Sequence, residues 1–435
     1  MRRRRLLLLG LVVLGVSYLV AGGFLGVPIG DDPAEGETLD RDQLVQPEDG
    51  GSYVWPYTSR ERSTDGRTLA INVIIHGPDE RVQQALIDQS ELEWEETDPE
   101  EEEAEADAYE VTAEEGTIEW DDAHGSTRYT YLDTEPRGGG AIWVEESYQL
   151  HAGTYLGSRH HIRAYTPPND DWTAIQTHQE YWDWFSLRHT VTDIQDSRNT
   201  LEADFLEQPY VDEIRREYHG VERGWNDGWL SVIELAAVGP VVLFGLLGLG
   251  GGSAGDTTRT VLRGTRRLLG WVLANVRGFL LAGALAGLFL GIRSAGLVLE
   301  AAVSGITPQA FVPILYPILV AGLPILTIVL TQPLEAASRF LRLQRGVSWI
   351  GRPLEPQPAF LFTVVGLGTA FGLDFAGLGV TALPIELLLH RFGLLIALGL
   401  VAAGATRVDA EGRGLLGVGL LGWVVGIAMP LLGYV

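Results

Sequence analysis

The sequence predicts an α+β extracytoplasmic domain inserted between an N-terminal transmembrane anchor and an all-α six-span membrane bundle. Three observations predict it. The 435 residues carry a net charge of -26, yet the chain is slightly apolar on average. Charge and hydropathy are segregated: residues 31–227 hold 48 Asp/Glu against 14 Arg, whereas residues 228–435 hold 9 Asp/Glu against 13 Arg. Finally, apolar runs of membrane-spanning length sit at the start of the chain and again after residue 226. An acidic soluble module within an apolar, slightly basic chain excludes a cytosolic globular enzyme. It also argues against a nucleic-acid partner, whose phosphates the module would repel.

The N-terminal element is the run 6–28, which follows Met1 and four arginines. Its length of about 23 residues is enough to cross about 30 Å of hydrocarbon. It reads as a signal anchor over 1–28, with Ala21-Gly22-Gly23 leaving cleavage open. The positive-inside rule then puts Arg2–Arg5 in the cytoplasm and residues 29–226 outside. Residues 29–50 read as an acidic linker and 51–226 as the outer domain.

Six further spans are expected within 227–435, near 228–250, 272–292, 311–331, 358–380, 386–404 and 414–434. Arg259, Arg263, Arg266 and Arg267 separate the first two, and Arg339, Arg342, Arg345 and Arg352 separate the third and fourth. Arg407 and Arg413 lie between the fifth and sixth. Every Arg-rich loop thus falls on the side of the amino terminus, and the lipid bilayer is the first partner the sequence implies. The second of these spans has room to lengthen, because 295–303 is apolar too. Gly283/Gly287, Gly368/Gly372 and Gly422/Gly426 are spaced for close helix packing. Glu234, Arg277 and Asp374 fall inside apolar runs, and Asp374 is the deep one, either a paired structural carboxylate or part of an ion path.

All 31 basic residues are arginine, and there is no cysteine. A lysine-free acidic surface suits molar salt, where the Debye length falls to about 3 Å and self-repulsion is screened. Arg codon bias is the other explanation. Without cysteine, disulfides and thiolate metal sites are excluded, so any metal must use His, Asp or Glu. No particular cofactor is specified.

Within the outer module, 69–75 reads as a buried strand and 79–88 as a helix with Val82, Ala85 and Leu86 on one face. Strands are expected at 117–120, 128–132, 141–148, 160–165 and 172–178. Gly138-Gly139-Gly140 and Pro167-Pro168 mark turns. Residues 196–205 and 210–218 read as helices. The run 95–107 reads as a solvated acidic loop.

Eight of the nine histidines lie in this module, most densely over 159–198. That stretch holds Arg159, His160, His161, Arg163, His178, Glu180, Asp183, His189, Asp193, Asp196 and Arg198. On a strand His161 and Arg163 share one face, and His160 takes the other. Imidazole and carboxylate suit a divalent metal. Histidine with arginine equally suits a phosphate, with Asp orienting an imidazole for proton transfer. A set of ordinary hydrogen-bonded histidines is the remaining alternative.

The string GTYLGSRHHIRAY (153–165), the Trp-led strand 172–178 and RHTVTDIQDSRNTLEADFL (188–206) resemble the LssY-type C-terminal domain family over about residues 69–206. The family shows an HHxR-like strand, a second strand, and a His-led segment ending in Asp-x-x-Arg before a helix. His160, His161 and Arg163 match the first block, and His189 and Asp196 the second. Thr190 stands where the family has a second histidine, and Arg198 lies one position early. The resemblance implies a membrane setting, sometimes beside lipid phosphatase-type domains, and no defined reaction.

The leading expectation is an outer domain that recognises or processes an envelope ligand, such as a lipid-linked or phosphorylated headgroup. In it His161, His189 and Asp196 are the catalytic candidates, and His160 and Arg163 the ligand-binding ones. A membrane-bound hydrolase using this site, a docking platform for another envelope protein, and transport through the last six spans by way of Asp374 are the alternatives.

Overall fold

The computed structural model describes residues 41–58, 69–97, 129–168, 171–206, 208–221, 226–236, 275–303, 305–332, 354–380 and 383–432. The anchor 1–28, the strand expected at 117–120, and the Arg-rich stretches 259–267 and 339–352 lie outside them. The chain forms two compact units.

The first unit is β-rich. Its strands are β1 (Tyr53–Val54), β2 (Val73–His76), β3 (Glu95–Glu96), β4 (Tyr129–Asp133), β5 (Ala141–Glu145), β6 (Tyr148–Gly153), β7 (Ser158–Tyr165), β8 (Trp172–Asp183), β9 (Arg188–Asp193), β10 (Val211–Val221) and β11 (Gly228–Leu235). Two helices, α1 (Asp79–Gln89) and α2 (Gln195–Leu206), complete it. The larger sheet runs β10-β11-β2-β8-β7-β6-β3, with β9 also paired to β8. Its β11–β2 pair is parallel, and β2–β8, β8–β7 and β7–β6 are antiparallel. The smaller sheet runs β1-β4-β5.

Both faces of the large sheet are covered, so β8 is buried at nearly every position. On one face Val73, Ile75, Ile162, Ala164 and Ile175 join Val82, Ala85 and Leu86 of α1 and Leu201 and Phe205 of α2. On the other, Ile74, Tyr165, Trp172 and Ala174 meet Val54, Leu132 and Trp143 of the small sheet. Burying an aromatic or aliphatic side chain of this kind contributes about 1.5–3 kcal/mol.

Several elements differ from the sequence expectation; the one strand expected at 141–148 is two, β5 and β6, and β9 is not among the expected strands. Residues 210–218 form a strand, β10, instead of a helix. Residues 228–235, expected to open the first of the six spans, form β11 in the sheet, so Glu234 is a strand residue hydrogen-bonded to Arg215 and not a membrane group. The reason is that a central strand buried on both faces reads as a continuous apolar run, as a span does. Residues 41–50 are part of the fold: Val45 bridges Val54, and Arg41 pairs with Asp133. The strand beginning at 172 runs to Asp183, five residues further than expected.

Among the described residues, the second unit holds five helices long and apolar enough to cross a membrane: α3 (Val276–Ala302), α4 (Val312–Thr331, with a 3-10 turn from Pro308), α5 (Pro356–Gly377), α6 (Ile385–Ala405) and α7 (Ala410–Leu431). The short segment Asp183–Leu187 belongs to this unit. Phe185 is buried there, stacked on Phe289 and edge-on to Phe371 and Trp423. The Arg391 guanidinium lies over the Phe185 ring and donates to Asp183. Arg293, expected in a loop, lies inside α3, because that helix extends to Ala302.

Candidate functional site

The alternation of β8 builds the site. Its even-numbered side chains share one face. That face starts apolar with Trp172 and Ala174, inside the cluster against the small sheet. It then turns polar: Gln176, His178 and Glu180 follow at two-residue spacing, all buried. The neighbouring strand is in register, with Arg163 opposite Gln176, His161 opposite His178, and Arg159 opposite Glu180. From β6, Gln149 pairs with Arg163 and Gly153 with Arg159. Gly153 has φ +124, and a Cβ there would meet the Ser158 carbonyl and the Arg159 backbone. The turn therefore needs glycine beside this arginine.

The polar groups are specifically paired. Arg159 Nε donates to Glu180 Oε1 at 2.6 Å, both side chains being 5 % exposed or less. His178 Nε2 lies 3.2 Å from Glu180 Oε2, and His178 Nδ1 lies 3.1 Å from Gln176 Oε1. His161 Nε2 lies 2.8 Å from Gln149 Oε1, while its Nδ1 faces Glu180 Oε2 at 3.9 Å. The two imidazole rings meet edge to face, 5.0 Å apart. One ligand atom from each of His161, His178 and Glu180 lies within 4.8 Å of the others, a set able to hold a metal ion.

Burial pushes His161 well below its usual 6.5, with Glu180 opposing and His178, Arg163 and Arg159 reinforcing the shift. Burial also lowers His178. Both rings are thus neutral near pH 7. Burial alone would raise Glu180, but Arg159, His189 and the two neighbouring histidines outweigh it and hold the carboxyl well below its usual range.

His189 stands at the edge of this group. Its Nε2 donates to the Tyr155 carbonyl at 2.9 Å, so Nδ1 is left to accept from Arg159 Nη2 at 3.2 Å. It is sandwiched edge-on between Tyr155 and Trp182. In this arrangement His189 orients Arg159, and both of its nitrogens are committed.

The six residues singled out from the sequence therefore fall in three places. His161, Arg163 and His189 share one face of the sheet. His160 points to the helical face, with Nδ1 3.0 Å from Ser197 Oγ, and Asp196 is exposed at the start of α2 on that same side. Asp374 lies in the helical unit, where it accepts from Arg293 Nε at 2.8 Å and Nη2 at 3.0 Å, both side chains buried. Two residues of the site, His178 and Glu180, were seen in the sequence cluster without being singled out. Their i, i+2 spacing was the available signal, and it acquires meaning once β8 extends to Asp183.

No family model, curated protein or solved structure matches this chain.

Proposed function

We propose that this is a multi-pass membrane protein whose β-rich domain lies outside the cytoplasm and binds an anionic envelope ligand, such as a phosphorylated or lipid-linked headgroup. One observation carries the reading. In a module with 48 Asp/Glu against 14 Arg, one sheet face brings Arg159, Arg163, His161, His178 and His189 close to the buried carboxylate of Glu180. Buried ionisable groups are expensive, and a cluster of them is a functional-site candidate. Arg159 engages Glu180, and the half-buried Arg163, close to both imidazoles, adds positive charge to the face an anion would meet. The likeness to LssY-type domains in 153–165 and 188–206 supports a membrane setting.

The five apolar helices support the membrane assignment. Arg407 and Arg413 flank the α6–α7 connection, at the end of the bundle where α3 begins with Arg277. By the positive-inside rule that end is cytoplasmic. The test of the ligand is calorimetric titration of the full chain in detergent and molar KCl with inorganic pyrophosphate. Saturable binding, weakened at least tenfold by Arg163→Gln, is the expected result. Absence of binding, or binding indifferent to Arg163→Gln in a folded variant, would sink the anion reading.

A further inference from the structure

We infer that His161 Nδ1, His178 Nε2 and Glu180 Oε2 form a binding site for one divalent transition-metal ion of the zinc type. The inference rests on the reading of this face as a ligand site and names what holds the ligand there.

The argument is one of remaining valences. Each of the three side chains has one ligand atom engaged away from the centre and one turned towards it. His161 gives Nε2–H to Gln149 Oε1 at 2.8 Å, His178 gives Nδ1–H to Gln176 Oε1 at 3.1 Å, and Glu180 gives Oε1 to Arg159 at 2.6 Å. Metal-ligating histidines almost always donate their second ring N–H to an oxygen, which fixes the tautomer and turns the other nitrogen to the ion. Here two glutamine oxygens do this for both rings at once.

The remaining atoms converge. Glu180 Oε2 lies 3.2 Å from His178 Nε2 and 3.9 Å from His161 Nδ1. Ligands about 2.0–2.1 Å from a tetrahedral zinc lie about 3.4 Å from one another, between those two separations. Two imidazoles and one carboxylate select zinc, cobalt or ferrous iron over magnesium and calcium, which prefer all-oxygen shells.

Three ligands are also one short of a closed structural site, the pattern of centres that keep a position for water or substrate. Electrostatics then links the metal to the anion. A dication beside the Arg159–Glu180 pair adds positive charge to a buried face. An anion on the open position relieves it. Metal and pyrophosphate should therefore bind with positive cooperativity.

The experiment uses the full chain, purified in detergent and molar KCl without nickel chromatography, stripped with a chelator and titrated with Co²⁺ and Zn²⁺. One equivalent should bind, with the intense visible bands of four-coordinate cobalt. His178→Gln should weaken binding at least 100-fold. Gln149→Leu, which frees the His161 tautomer and also removes the Gln149 Nε2 bond to Glu146, should weaken it about 10–100-fold. His219→Gln, on the edge strand β10, should leave it unchanged. No bound metal in the wild-type chain, or unaltered affinity in a folded His178→Gln variant, would overturn the site. Should that variant fail to fold, the wild-type cobalt spectrum decides alone: weak six-coordinate bands or none would overturn it. Pyrophosphate binding by a chain that takes up neither Co²⁺ nor Zn²⁺ would end the metal site and leave the anion reading standing. Stoichiometric metal with no response to pyrophosphate would do the reverse.

Discussion

The pair Arg293–Asp374 shows how far one residue's environment determines its reading. Both side chains are about 95 % buried among apolar helices and joined by two hydrogen bonds. Removing one partner leaves the other charge uncompensated, which costs about 3–5 kcal/mol, whereas replacing both with apolar groups of like volume is often neutral or stabilising. Asp374→Asn should accordingly lower the melting temperature of the chain in detergent, and Arg293→Met with Asp374→Leu should recover most of the loss. A double variant worse than the single one would mean the pair does more than compensate charge. Asp374 was legible in the sequence as a deep carboxylate. Its partner was not, because a span of minimal length stops before Arg293 and α3 does not. A second buried arginine, Arg198, grips Asp227 with both terminal nitrogens at 2.8 and 2.9 Å. That grip, against the opposing effect of partial burial, holds Asp227 below its ordinary 3.8. The folded-state value is depressed, so the contribution is fully present above pH 3.8 and is lost as pH falls through the lower folded value. Asp227→Asn should flatten the acid limb of the stability–pH curve below pH 3.8 and leave its shape above that unchanged.

Among the elements, those with an unambiguous period were legible and those defined by context were not. The helix α1 and the strands β4, β5 and β7 follow from alternation or from a helical stripe. The edge strand β10 (VDEIRREYHGV) carries the charges that protect a sheet edge, and those charges made it look helical. In the bundle, spacing alone does not tell which glycines mark a close approach: Gly422 and Gly426 are buried, but others of that spacing face open space. A Cβ on Gly283, Gly287 or Gly372 would meet nothing within 4 Å. A Cβ on Gly404 would strike the backbone of Gly412 and Leu416, and one on Gly419 the backbone of Ala397 and Val401. These two positions, one on α6 and one on α7, let the two helices touch at the backbone, as small residues do in membranes. A methyl group against backbone cannot be relieved by a rotamer change. Gly404→Ala and Gly419→Ala should each cost about 1–3 kcal/mol, while Gly283→Ala should stay within about 0.5 kcal/mol of wild type. Thermal unfolding of the three variants in detergent compares them directly, and a Gly283→Ala variant as damaged as Gly404→Ala would contradict this assignment of the close approach.

For the whole molecule, the segregation of charge and hydropathy sorted the chain correctly into a sheet domain and an apolar helical unit, and missed the boundary by one strand. Moving 228–235 into the sheet leaves only residues after Leu235 for a crossing before α3. That makes sidedness a question of parity. If the stretch 237–274 crosses once, the β-rich domain and the α3–α4 connection face the same side, and the α6–α7 connection faces the other. If it does not cross, the β-rich domain and the α6–α7 connection share a side. The chain has no cysteine, so single introduced cysteines report without background. Gln89 is exposed at the end of α1, Ile306 is 50 % exposed between α3 and α4, and Val408 is 67 % exposed between α6 and α7. Arg407 and Arg413 beside Val408 should hold that connection in the cytoplasm. In intact cells a membrane-impermeant maleimide should therefore label Gln89→Cys and Ile306→Cys, and should reach Val408→Cys only after permeabilisation. Labelling of Gln89→Cys and Val408→Cys together, with Ile306→Cys protected, would remove the crossing between the sheet and α3. Labelling of Val408→Cys alone would keep that crossing and place the β-rich domain, with its metal-ligand geometry, in the cytoplasm, out of reach of an envelope ligand.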